Sequence, residues 1–270
     1  MIGAELVHFI GGGNMATAMI LGLEALPAPP RLVICDRSVD ARDRHGSRGC
    51  TTVAAIADLT GVQVAVLAFK PQHFAGAVED LKRALAPDAL VLSILVGVST
   101  RTLEEALPGI RVVRIMPNTP MMVGEGMSGV APGSRASASD VDVAVEIASA
   151  SGRVIRVGES QIDDVAAISG SGPAYFFRFC EVLVDVAMRE CGFSEDTARV
   201  LVGQTARGAL TYLESQEGFP AARLRQEVTS PGGTTEAALS VLAERGFAEM
   251  MSEAILRAKA RAVELNEAAR

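Results

Sequence analysis

The 270-residue sequence predicts an α/β protein, with a doubly wound, mainly parallel sheet in the first part of the chain and an all-α C-terminal domain after it. Three observations carry this prediction. Short apolar runs alternate with helical patterns up to about residue 157. A glycine-rich turn joins the first apolar run to the first helical pattern. Beyond residue 161 the chain is Ala-rich and helical in period, with no convincing strand.

Strand-like runs fall at residues 6–10, 31–35, 62–69, 90–95 and 111–116, and helix-like stretches at 14–25, 72–85 and 100–107. Near-continuous apolar strands between helices mark a parallel sheet covered on both faces. Pro27, Pro29 and Pro30 end the first helix, because proline lacks the N–H and clashes in a helix interior. Two short strands are expected at 127–131 and 153–157, around a helix at 139–150. The boundary is placed at residues 157–161, giving a sheet domain over 1–158 and a helical domain over 159–270, with helices at 174–191 and 236–245 in the latter.

Composition narrows the function. Hydrophobic residues make up 49% of the chain, enough for one large core or two modest ones, and 21% charged is too few for a disordered protein. A net charge of −7 with no basic run speaks against nucleic acid and against an anionic membrane surface. No apolar run approaches the ~20 residues of a membrane span, and the N-terminus enters a strand with no charged leader. A cytoplasmic location is therefore expected. Cys35, Cys50, Cys180 and Cys191 lack metal-knuckle or redox-pair spacing and read as reduced thiols; no metal site is expected. The histidines His8, His45 and His73 are scattered and read as structural.

After the first strand the chain reads Gly11-Gly12-Gly13-Asn14-Met15-Ala16. This fits G-x-G-x-x-G/A, with Gly11 making the tight turn, Gly13 letting backbone approach a pyrophosphate, and Ala16 letting helix pack on strand. The phosphates would sit at the positive helix N-terminus, so the sheet domain is expected to be Rossmann-like. The second strand ends in Asp36-Arg37-Ser38, where two signals oppose each other. An acidic residue there accepts from the adenosine ribose and favours NAD; Arg37 and Ser38 offer a 2′-phosphate site and favour NADP, unless Arg37 is only a solvated loop residue. Ala68-Phe69-Lys70-Pro71 closes the 62–69 run, at the strand end that faces the ligand crevice. Lys70 would hydrogen-bond the cofactor ribose or phosphate, or is a solvated strand end. Asn118, in the loop after 111–116, carries donor and acceptor groups for a carboxamide or a substrate.

The helical part contains two glycine-rich turns, Ser169-Gly170-Ser171-Gly172-Pro173 and Thr229-Ser230-Pro231-Gly232-Gly233-Thr234-Thr235, each opening a helix. Hydroxyls, small residues and free N–H groups at helix N-termini suit a carboxylate; simple N-capping is the alternative. No Ser-His-Asp set, metal cluster or carboxylate pair emerges, which suits hydride transfer, where the cofactor carries the chemistry.

At these residues the chain resembles the pyrroline-5-carboxylate reductase family. The likeness runs in order through FIGGGNMA, AVLAFKPQ, SILVGVS, VVRIMPNTP, AAISGSGPAYFF, LVGQTARGA and VTSPGGTTEAAL. The resemblance implies a Rossmann domain followed by a helical domain that interlocks with a partner subunit, in a homodimer or a higher homo-oligomer. It implies reduction of 1-pyrroline-5-carboxylate to L-proline with NADP as cofactor, NAD being the alternative. It places Ser171, Ser230, Gly233, Thr234 and Thr235 at the substrate, with N–H groups around Gly233 and Thr234 on its carboxylate. It places Thr235 and Glu217 near the ring nitrogen as the catalytic pair. Lys70, Val96, Gly97 and Asn118 would line the nicotinamide side. The sequence departs from the family pattern at Asp36, where relatives often have Asn, at Ala54 and Ala55, where an Asn is usual nearby, and in the bulkier SILVGVS. A β-hydroxyacid dehydrogenase would need a catalytic Lys in the helical domain, and only Lys259 lies beyond Ser160. A nucleotide-binding regulator without turnover is the other rival, and neither glycine-rich turn looks degraded.

Overall fold

The computed structural model describes residues 3–268. In chain order the first part comprises β1 (Leu6–Ile10), α1 (Asn14–Glu24), β2 (Arg31–Cys35), α2 (Val39–Gly46), β3 (Thr51–Val53), β4 (Val62–Leu67), α3 (Phe74–Ala84), β5 (Leu85–Ser93), α4 (Thr100–Ala106), β6 (Arg111–Met116), β7 (Gly126–Pro132), α5 (Ala138–Ser149) and β8 (Gly152–Arg156). Helices follow: α6 (Ile162–Val165), α7 (Gly172–Arg189), α8 (Glu195–Glu214), α9 (Ala221–Glu227), α10 (Thr234–Glu244) and α11 (Phe247–Ala268). The expected class, a doubly wound sheet and then helices, is the one observed.

The strands form one sheet in the order β3-β2-β1-β4-β5-β6-β7-β8. β1 to β6 are parallel, β7 runs antiparallel to β6, and β8 is parallel to β7. The order reverses between β1 and β4, and ligands of such sheets bind outside the strand ends at that switch point. Successive side chains point to opposite faces. Phe9 therefore packs with Met19, Ile20 and Leu23 of α1, while its neighbour Ile10 packs with Leu67, Leu81 of α3 and Leu103 of α4. Each such fully buried side chain contributes roughly 1.5–3 kcal/mol.

The chain divides into two compact units, residues 1–173 with 257–270, and residues 174–256. The last part of α11 thus belongs to the unit that contains the sheet. The second unit consists of helices and turns throughout.

In the sheet-forming part, two elements were not foreseen. α2 (VDARDRHG) is polar, with Ala41 and His45 its buried residues, so it shows little apolar periodicity. β3 has three residues at the sheet edge. β5 also begins at Leu85 and not at residue 90, because α3 passes straight into it. The early part of this strand pairs Val62 with Leu85 before the register shifts, near Asp88 at φ +62°.

Candidate functional site

The glycine turn after β1 lies at the switch point. Gly11 has φ +105°, and a Cβ there would stand 2.5 Å from the Ala68 carbonyl oxygen. No L side chain fits that conformation or that approach. Gly11 and Ala68 thus bring the β1 and β4 turns together. A Cβ on Gly13 would meet nothing within 4 Å, and Gly13 and Asn14 are exposed. No side chain caps α1, so the N–H groups of its first turn are open to an anion. Ala16 is fully buried, where helix meets sheet. These residues fit a dinucleotide pyrophosphate, with backbone packed tightly at Gly11 and space at Gly13.

Asp36 is engaged inside this turn. Its Oδ2 accepts from the Gly12 N–H at 2.7 Å and its Oδ1 from the Ser38 N–H at 2.8 Å. Ser38 caps α2 by accepting from the Ala41 N–H, and Arg42 Nη1 donates to the carbonyls of Asp36 and Arg37 at 2.8 and 2.9 Å. The Arg37 side chain is exposed. Burial first, then the neighbouring Asp36, push the Cys35 thiol up to about 11. That thiol is not a nucleophile at neutral pH.

The other loops at the carboxyl ends of the parallel strands carry further predicted residues. Lys70 is exposed at the end of the β4 turn, before a short 3-10 turn at Pro71–His73. Gly97, at φ +77°, packs against the end of α11: a Cβ there would lie 2.8 Å from Leu265 Cβ. Val96 beside it is partly exposed. Asn118 is buried and its amide is used within the protein. Its Nδ2 donates to the Ser169 carbonyl (3.1 Å) and hydroxyl (3.2 Å), and its Oδ1 accepts from the Met127 N–H (2.8 Å). Asn118 therefore ties the loop after β6 to the first glycine-rich turn, with Ser171 exposed just beyond.

Sequence reasoning missed a charge cluster around a buried arginine on the same unit. Arg114, inside the apolar run of β6, pairs with Glu159 at 3.0 Å and Asp163 at 3.6 Å. Glu159 also accepts from the Thr100 N–H at the start of α4, and Asp163 accepts from Asn266 Nδ2 at 2.7 Å. A buried charge persists only when paired and hydrogen-bonded. The signal was available as an Arg in the strand interior, flanked by Val112, Val113, Ile115 and Met116. His45 and Thr17, which touch the glycine turn from below, were also missed. Among the described residues no group of His, Cys, Asp and Glu could hold a metal ion.

In the second unit, Thr229–Gly233 form a turn, exposed at Ser230, Pro231 and Gly232, and Thr234 and Thr235 open α10. Gly232 has φ +70°, its N–H donates to Glu236 Oε2 at 2.7 Å, and the Gly233 N–H donates to the Ser230 carbonyl at 2.9 Å. No side chain caps α10. The N–H groups of Thr234 and Thr235 therefore begin the helix uncapped. Glu217 is exposed on the separate turn between α8 and α9, next to Gly218 and Phe219 at positive φ. No hydrogen bond joins it to the Thr229–Thr235 turn among the described residues.

The strand order and the turn at its switch point define a Rossmann-type dinucleotide-fold protein. Two family descriptions match: pyrroline-5-carboxylate reductase dimerisation over residues 159–265, and NADP oxidoreductase, coenzyme F420-dependent, over residues 6–97. The chain belongs to the pyrroline-5-carboxylate reductase family. It is 39% identical to the pyrroline-5-carboxylate reductase of Pseudomonas aeruginosa, over 97% of both chains. It is 36% identical to that of Methanosarcina acetivorans, over 97% of this chain and 98% of the other. The pyrroline-5-carboxylate reductase structure from Coxiella burnetii superposes with a TM-score of 0.87 at 38% identity, covering 96% of this chain and 97% of that one. The Plasmodium falciparum pyrroline carboxylate reductase with NADP bound gives 0.86 at 26% identity, covering 98% and 99%.

Proposed function

We propose that this chain reduces 1-pyrroline-5-carboxylate to L-proline with NADPH, as a homodimer or higher homo-oligomer. The observation that carries the reading is the open glycine turn at the sheet's switch point, in a chain that covers 97% of the length of its Pseudomonas aeruginosa relative. Residues 1–158 form the NAD(P)-binding domain and 159–270 the helical dimerisation and substrate domain. The start of the dimerisation match at residue 159 supports that division. The cytoplasm is the proposed location; among the described residues no helix is long and apolar enough to cross a membrane.

NADPH, when bound, supplies the hydride for the imine carbon. The residues of the chain hold and orient. Gly11 to Ala16 take the pyrophosphate, Arg37 and Ser38 the 2′-phosphate, and the loops at Ala68 to Pro71, Val96, Gly97 and Asn118 the nicotinamide half. NADPH is preferred over NADH. In support, both Asp36 oxygens already accept backbone N–H groups, while the Arg37 guanidinium is exposed and forks well onto phosphate. The uncapped start of α10, with Ser230, Gly233 and Thr234, receives the substrate carboxylate; Ser171 is a further substrate-binding residue of this reading. Thr235 and Glu217 favour the protonated nitrogen by hydrogen bonding and charge.

The test is a steady-state assay with 1-pyrroline-5-carboxylate and each cofactor. Turnover with a higher kcat/KM for NADPH is expected, and Arg37→Ala should lower that preference. Absence of turnover with either cofactor overturns the reading. NADH preference untouched by Arg37→Ala would show that Asp36 governs selectivity.

A further inference from the structure

Both backbone polar groups of Gly12 are engaged. Its N–H donates to Asp36 Oδ2, as above, and its carbonyl lies 3.1 Å from Nε2 of His45. A carbonyl only accepts, so Nε2 carries the proton in this contact. The Thr17 hydroxyl lies 3.4 Å from the same nitrogen and donates to the Gly13 carbonyl at 3.0 Å. His45 has no exposed surface, and its ring carbon would stand 3.2 Å from a Cβ on Gly12. It sits in α2, the helix whose start is fixed by Ser38 and, through the Ser38 N–H, by Asp36. Among the described residues its other nitrogen, Nδ1, is buried without a hydrogen-bond partner.

That last fact is informative. A leucine would fill the same space without burying two polar nitrogens, one of them unpartnered, at a cost in free energy. What the imidazole adds over an apolar side chain is its bond to the Gly12 carbonyl.

We propose that His45 is a positioning residue for the cofactor: by donating to the Gly12 carbonyl it holds the glycine turn in the shape that receives the pyrophosphate. The inference rests on reading residues 11–16 as the pyrophosphate site. Because both nicotinamide cofactors share the pyrophosphate, loss of the contact weakens both by one factor, unlike a change at Arg37, which acts on the 2′-phosphate alone.

The experiment is a fluorescence titration of the full-length protein with NADPH and with NADH, run beside a thermal melt and steady-state kinetics. His45→Leu should weaken both cofactors about tenfold, the cost of one unsatisfied buried carbonyl. The NADPH-to-NADH ratio and kcat at saturating cofactor should change little. His45→Gln, whose amide nitrogen reaches the Nε2 position, should restore binding. A folded His45→Leu protein with unchanged affinities, or with a changed cofactor ratio, overturns the proposal. If His45→Leu does not fold, His45→Gln and His45→Asn decide. Binding kept by Gln and lost equally for both cofactors by Asn, whose amide stops one bond short, supports the role; equal binding by both variants overturns it. A wild-type protein that binds neither dinucleotide overturns the pyrophosphate reading and this inference together. Wild-type binding matched by His45→Leu overturns the inference alone.

Discussion

The two units of the chain satisfy their apolar residues in opposite ways. In the first, both faces of the sheet are covered by the unit's own helices, and Phe9, Ile10, Ile20, Leu67 and Leu92 have almost no exposed surface. In the second, the fully or nearly buried apolar residues are Ala198, Val202 and Leu224, while Phe177 is 67% exposed, Val200 70% and Tyr212 52%. A helix that shows its apolar stripe to water lacks the layer that should cover it. The first unit thus carries a core of its own, and the second carries part of one, for which a second copy is the proposed remainder. The difference extends to the two glycine-rich sites. At β1 the turn is locked by backbone approach and by Asp36; at α10 it is exposed, with Glu217 on another turn.

The largest effect should come from attacking the self-contained core at its tightest point. Gly11→Val puts a branched side chain at positive φ against the Ala68 carbonyl, at a cost of about 3 kcal/mol or more. Chemical denaturation should show the sheet unit strongly destabilised; wild-type stability would mean that the two turns are not packed as described. Gly13→Val separates binding from folding. Its Cβ meets no protein atom, so the melting temperature should hold while cofactor affinity drops about a hundredfold, near 3 kcal/mol of lost space for the phosphates. Calorimetry decides, and unchanged affinity would move the phosphate site elsewhere.

Phe177→Glu sharpens the contrast from the other side. A charge buried against a second copy weakens association by about 2 kcal/mol or more, some thirtyfold in the dissociation constant, yet costs an isolated chain little. Sedimentation over a concentration series should show dissociation; an oligomer as tight as wild type would free α7 from the interface. The smallest expected effect is at Thr235→Val, a swap close in volume. A lost charge-assisted hydrogen bond at the transition state predicts about a tenfold fall in kcat with cofactor affinity intact. Because no side chain caps α10, stability should not change with it. A variant with unchanged kcat would leave Glu217 or solvent as the partner of the nitrogen.

Legibility in the sequence followed the strength of local patterns. β1, α1 and their turn were plain, since an apolar strand, three glycines and an apolar helix are contiguous. α2 was not, because a polar surface helix that buries Ala41 and His45 has scant periodicity. With α2 unseen, His45 read as one of three scattered histidines and its place beneath Gly12 went unnoticed. Asp36 was legible as a residue of the site, but its engagement with Gly12 and Ser38 depends on how the turn closes in three dimensions. Asn118 illustrates the same limit: its binding chemistry is evident from its type, whereas its use on Ser169 and Met127 depends on contacts 51 and 9 residues away. The reversal of β7 and β8 has no local signature, because direction within a sheet is set by connections and not by the composition of a strand.

The packing of Leu265 on Gly97 has a consequence in time. A loop of the sheet unit finishes against a residue that is synthesised long after it. At about 5–20 residues per second, roughly ten to thirty seconds separate the two on the ribosome. During that interval the loop after β5 has its strand and α4 but not its outer contact, and Asp163 and Asp164 still lack Asn266 and Lys259. The sheet can therefore assemble as it emerges, while the nicotinamide side of the proposed cofactor site gains its outer contact only once α11 has been made and Leu265 packs on Gly97.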